Sequence, residues 1–192
     1  QENPKKTCVC LLTDKEEIGS YSNSGATSNL YENFLMEVFA KYEGGIDKFN
    51  TLKFRKALAA TKMLSTDVTT GYDPKYAGVF EKNNTAFMSH GLKIEKYTGA
   101  RGKSGCSEAN GDFIAEITDI FEKNSIPWQT GELGRIDAGG GGTIAAIMAE
   151  LGMDVVDMGV PVWSMHAPVE VISKIDLYYL YLGYKAFIEN IG

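Results

Sequence analysis

Short apolar runs alternate with segments of helical period along nearly the whole chain, and that alternation limits the architecture more than any other feature. "TCVCLLT" (Thr7–Thr13), "KMLSTDV" (Lys62–Val68), "LKIEKYT" (Leu92–Thr98), "IPWQT" (Ile126–Thr130) and "DVVDMGVPV" (Asp154–Val162) read as strands. Between the first two, "NLYENFLMEVFAKY" places Leu30, Phe34 and Val38 at helical spacing, with Tyr31, Leu35 and Phe39 widening the face. That pattern predicts a well-buried amphipathic helix, ended by Gly44 and Gly45. "FNTLKFRKALAAT" is a weaker helix, and "YDPKY" is turn chemistry. "EANGDFIAEITDIFEKN" is a helix with Phe113, Ile117, Ile120 and Phe121 on one face. A glycine run, "DAGGGG", opens the helix "TIAAIMAEL", with Thr143 as its cap and Gly152 after its end. "HAPVEVISKIDLYYLYLGYKAFIENI" reads as one long helix, with Pro168 in its first turn and Ile172, Ile175, Tyr179, Leu182 and Ala186 recurring at three and four. Strands alternating with helices, without repeats, predict one α/β layered domain over residues 1–192 with a largely parallel sheet.

Composition removes several classes. At 44% hydrophobic and 11% aromatic residues, the chain can bury a core and is not disordered by composition. A net charge of −6 with no long basic run argues against nucleic-acid binding. No apolar run approaches the roughly 20 residues of a membrane span, and no signal-peptide pattern is present. Three cysteines argue against a disulfide framework and for a reducing, cytoplasmic setting. Cys8 and Cys10 share one face of the first run and are expected to pack in the core. The opening "QENPKKTCVCLL" reads like a piece cut from something longer.

The chemistry gathers at strand ends. "TDKEEIGS" sets Glu16 beside Glu17 just after the first run; Asp67 closes the second; His166, one of two histidines, follows "DMGVPVWSM". In a mostly parallel sheet the loops after strand C-termini share one edge, where ligands bind. Each residue also has a bland reading: a solvated glutamate pair, a turn aspartate, a structural histidine. Carboxylate oxygens and an imidazole nitrogen suit zinc. Two adjacent glutamates on an extended segment point different ways, so one can face a metal while the other takes a proton from water. The glycine run reads either as a flexible linker or as a substrate-facing loop held by Asp137, with the backbone close to a ligand.

"DKEEIGS", "STDV", "DAGGGGTIA" and "VPVWSMHAPVE", in this order, resemble the M18 family of zinc aminopeptidases, the aspartyl aminopeptidase and aminopeptidase I group, over nearly the whole chain. The resemblance implies a three-layer α/β/α zinc-peptidase domain (phosphorylase/hydrolase-like). It also implies a two-zinc site and peptide substrates shortened from the N-terminus. Glu16 would be the general base, Glu17 and His166 would hold one zinc, and Asp67 the other. The family assembles into homo-oligomers, often dodecamers. Its site also uses a histidine from an upstream His-x-Asp motif and an aspartate bridging both metals; neither motif is in this sequence, and His90 lacks the matching context. The chain is therefore expected to be the C-terminal part of a longer enzyme, N-terminally incomplete, holding part of the site and inactive alone. Thr70 stands where aspartyl aminopeptidases carry a histidine, so an acidic N-terminal residue is not implied as the substrate. Arg101 and Lys103 in "YTGARGKSG" could meet a substrate carboxylate or simply form a solvated basic loop, and Gly141 and Gly142 would face substrate.

Two rival readings stand beside this one. "GARGKS", taken as a loop between strand and helix, looks like a phosphate loop, but Tyr97 occupies the first glycine position. The missing ligands also suit a non-catalytic fragment or assembly module.

Overall fold

The structure is a computed structural model that describes residues 6–101, 104–135 and 137–192. Along the chain the elements are α1 (Leu30–Tyr42), α2 (Thr51–Ala59), β1 (Lys62–Thr70), β2 (Leu92–Glu95), β3 (Tyr97–Ala100) and β4 (Ser104–Glu108). They continue with α3 (Gly111–Lys123), β5 (Trp128–Thr130), β6 (Gly140–Gly141), α4 (Ile144–Ala149), β7 (Asp154–Trp163), β8 (Val171–Ile172) and α5 (Lys174–Asn190). The main sheet runs β1-β7-β2-β5, with β8 on the end of β7; a smaller sheet runs β4-β3-β6.

The main sheet is mixed rather than largely parallel. β1 pairs parallel with β7, and β2 parallel with β5, but β2 meets β7 antiparallel. "LKIEKYT" is likewise two strands, because the chain leaves the main sheet at Lys96 and enters the small one.

Strand alternation sorts the core into two layers. Val156, Met158 and Val160 of β7 face one way, onto Phe113, Ile117, Ile120 and Phe121 of α3 and Leu180 and Ala186 of α5. Val155 faces the other way, with Phe54 and Leu58 of α2 and Ala145 and Met148 of α4. Helices on both faces of a sheet make an α/β/α sandwich. Caps set the helix starts: Asn50, Asn110 and Thr143 accept from backbone N–H groups two or three residues on.

Three local expectations are corrected. Thr7–Thr13 is not a strand: it has no ladder partner among the described residues, and Cys8 and Cys10 are exposed rather than in the core. Helix α1 buries only part of its apolar surface. Tyr31, Leu35 and Phe39 pack inward, whereas Leu30 is 58% and Phe34 56% exposed, with Val38 also exposed. A helix two residues wide in apolar stripe can bury only the half that meets the sheet. The last helix begins at Lys174, not near Pro168, because Ser173 caps it and Val171–Ile172 is spent pairing with β7. Ile172 is therefore a strand residue and Ile175 is exposed, while Tyr179, Leu182 and Ala186 pack as expected.

Candidate metal centre and substrate edge

Glu16 and Glu17 lie in a single 3-10 turn, Glu16–Ile18, rather than on an extended strand end. Lys15 before it and Gly19 after it both take left-handed backbone conformations, so the chain reverses tightly there. The turn is held by Ser20 N–H donating to the Lys15 carbonyl at 2.7 Å. Consecutive residues of a 3-10 turn are spaced about 120° apart around its axis, so the Glu16 and Glu17 side chains leave it in different directions.

His166 follows β7 in a turn where it too has positive φ, at 65°. Its backbone N–H donates to Glu170 Oε1 at 2.6 Å, which fixes the turn. The imidazole Nε2 then sits 3.0 Å from Glu17 Oε2, and both side chains are open to solvent, at 69% and 70% exposure. Asp67 is exposed on β1, with Oδ1 accepting from Val68 N–H at 2.7 Å. It joins the group electrostatically. Partial burial, then the charges of Glu17 and Asp67, push the Glu16 carboxyl above the ordinary glutamate range, and His166 opposes them. Four residues from three distant segments thus share one neighbourhood.

The donor types fit zinc, since one carboxylate oxygen and one imidazole nitrogen already converge. The cluster is not a closed site: among the described residues, no group of three or more His, Cys, Asp or Glu side chains is gathered tightly enough to hold a metal ion.

The expected substrate residues separate into two places. Arg101 sits in the turn of the β3–β4 hairpin, and its N–H donates to the Gly139 carbonyl at 3.0 Å. Gly141 pairs with Gly99. A Cβ on Gly140 would fall 2.2 Å from the Gly99 carbonyl oxygen, so the close approach of these strands requires glycine there. Gly142 lies against Gly105. The glycine run is therefore part of a small sheet rather than a free linker, and Arg101, Gly141 and Gly142 belong to one unit. Lys103 lies outside the described residues. Thr70 stands apart, three residues past Asp67 and so on the opposite sheet face; its hydroxyl oxygen is buried without a hydrogen-bond partner. The hairpin also removes the phosphate-loop reading, because "GARGKS" leads into strand β4 and not into a helix N-terminus.

A model of the family described as aminopeptidase I zinc metalloprotease (M18) matches residues 1–188. The chain belongs to the M18 family. It is 48% identical over 189 residues to a probable M18 family aminopeptidase 1 of Clostridium acetobutylicum, covering 98% of this chain and 40% of that one. The corresponding Thermotoga maritima protein is 38% identical over 189 residues, again spanning 98% of this chain and 41% of the relative. The crystal structure of the Clostridium aminopeptidase I superposes with a TM-score of 0.86 over 98% of this chain and 40% of that one. The Thermotoga M18 aminopeptidase, 37% identical, also gives 0.86, covering 93% of this chain and 39% of its own. An S. cerevisiae mApe1 dodecamer shares the fold at 20% identity and a TM-score of 0.72. This M18 chain thus spans about two-fifths of the length of its curated relatives.

A second set of polar residues escaped the sequence reading. Lys93, Glu95, Ser65, Thr69 and Asp157 are all buried on the sheet face that also carries Asp67. Burial first, then the Glu95 charge, pushes the Asp157 carboxyl up to about 8, against hydrogen bonds from Ser65 and Thr143 and the charge of Lys93. The signal was present as charged residues inside short buried strands, "LKIE" and "DVVDM". It becomes legible only when the register puts them on one face.

Proposed function

We propose that the protein carrying this sequence is a zinc-dependent aminopeptidase, removing N-terminal residues from peptides, and that this chain supplies part of a two-zinc site. The observation that carries the reading is the convergence of Glu17 and His166 at 3.0 Å, with Glu16 and Asp67 in the same electrostatic neighbourhood. Glu17 and His166 would hold one zinc and Asp67 the other. Zinc, when bound, would polarise the scissile carbonyl and lower the pKa of water. Glu16 diverges from Glu17 along the turn and keeps its carboxylate free to accept a proton from the attacking water and return it to the leaving amine. Its raised proton affinity suits that exchange. Arg101, Gly141 and Gly142 are proposed to line the substrate side, together with Lys103 and Thr70. The assembled form is proposed to be a cytoplasmic homo-oligomer, in line with the dodecameric relative; no helix among the described residues is long and apolar enough to cross a membrane.

The test is to incubate the zinc-loaded intact protein with a peptide and with its N-acetylated form, and to follow both by mass spectrometry. Loss of single residues from the free N-terminus only, abolished in Glu16→Gln, supports the reading. Cleavage unaffected by acetylation, or none from either peptide, contradicts it.

A further inference from the structure

Asp67 is flanked on β1 by two buried polar bridges, and each leads to one end of the glycine-rich segment 132–143. Before it, Ser65 Oγ donates to Asp157 Oδ1 at 2.8 Å. The Thr143 side chain, which caps α4, lies close enough to the same carboxyl to favour its ionised form. After it, Thr69 Oγ1 accepts from Lys93 Nζ at 3.0 Å. Lys93 Nζ also donates to the Glu132 carbonyl at 2.7 Å and lies 2.9 Å from Glu95 Oε1, so its three protons meet three acceptors.

The sheet register explains why these bridges share a face. Asp67 pairs with Gly159, which pairs with Lys93; Ser65 pairs with Asp157, which pairs with Glu95. Both rows run β1–β7–β2, two residues apart, so their side chains project the same way. Gly159 carries no side chain between Asp67 and Lys93, and a Cβ there would fall 2.1 Å from the Asp67 carbonyl oxygen. The middle of the segment is stitched separately, through Gly140 and Gly141 on β3. A lysine at 0% exposure and an aspartate at 8% exposure are costly to bury for packing alone.

We propose that Asp157 and Lys93 are positioning residues that anchor the two ends of segment 132–143 to the sheet face bearing Asp67, so that the substrate-side loop and the metal-side strand keep one spacing. This rests on the peptidase reading of Asp67 and the glycine run. Neither residue touches the reacting atoms. They act through Thr143 and the Glu132 carbonyl at the loop ends, and through Ser65 and Thr69 on the strand.

The experiment is amide hydrogen exchange across 132–143 in the intact zinc-loaded protein, with peptide kinetics on the same samples, for Asp157→Asn and Asp157→Leu. Asn keeps an acceptor for Ser65 and a polar group towards Thr143; Leu keeps the volume, breaks the Ser65 bond and removes the polar contact with Thr143. In Asp157→Leu, exchange in the segment should accelerate about tenfold while α3 is unchanged, and KM should rise about tenfold at nearly constant kcat and zinc content. Asp157→Asn should restore both values. Thr143→Val cuts the same bridge from the loop side and replaces Asp157→Leu if that variant does not fold. Equal acceleration in α3 and the segment, or wild-type exchange in the segment, would overturn the anchoring. Wild-type protein that turns over no peptide would overturn the peptidase reading instead, while the exchange data would still decide the anchoring.

Discussion

His166 Nε2 lies 3.0 Å from Glu17 Oε2, although one residue follows the last long strand and the other belongs to the first turn of the chain. Exposed charged pairs of this kind contribute little to stability, typically about 0–1 kcal/mol, so holding two solvent-open donors together is better explained by what they could bind. His166→Ala should therefore leave the melting temperature within about 2 °C while lowering zinc affinity by about tenfold or more. Isothermal titration with zinc separates the cases; unchanged affinity would reject His166 as a ligand.

Glu16 stands next to a donor but does not share its contact with His166. Glu16→Gln should retain zinc and lose about 100- to 10,000-fold in kcat, the range for removing a general base. Steady-state kinetics alongside elemental analysis decides this. Near-normal turnover would take Glu16 out of the mechanism.

Asp157 makes stability depend on pH in a definite direction. Its carboxyl stays protonated in the fold up to about 8, whereas in the unfolded chain it ionises near its ordinary 3.8. Its contribution is thus fully present below the unfolded value and is lost progressively as pH rises from about 4 to about 8. Asp157→Asn cannot ionise, so urea midpoints should show the wild type losing ground to this variant across that window. A constant difference between the two would contradict the assignment.

The start of the last helix can be checked at two residues. Ser173 caps α5, and Asp176, fully buried, accepts from the backbone N–H groups of Ser89 at 2.6 Å and Gly91 at 2.9 Å. Asp176→Ala leaves those donors unpaired and should cost about 2–5 kcal/mol in denaturant titrations. Pro168→Ala, outside the helix, should cost under about 0.5 kcal/mol. Equal effects would move the helix start back towards Pro168.

What the sequence revealed follows from how local each signal is. The face of α3 was legible because Phe113, Ile117, Ile120 and Phe121 repeat at helical spacing on a helix that meets the sheet squarely. Asp67 and Glu17 were legible as acids after apolar runs. Pairing partners were not: nothing within "LKIE" says that β2 runs antiparallel to β7, and nothing within "TCVCLLT" says that it meets no strand among the described residues. The direction of α1's buried stripe was hidden for the same reason, since Leu30 and Tyr31 are equally apolar and only the neighbouring sheet chooses between them. The polar cluster around Lys93 needed the register of three strands at once.

The measurement that tests the central claim most directly is anomalous diffraction at the zinc edge from crystals of the protein soaked in zinc. An ion within about 2.0–2.2 Å of both Glu17 Oε2 and His166 Nε2, with the Glu16 carboxylate left unbound, is the predicted result. Zinc bound elsewhere, or no ion between these two atoms at saturating zinc, would contradict the assignment of this edge as a metal centre.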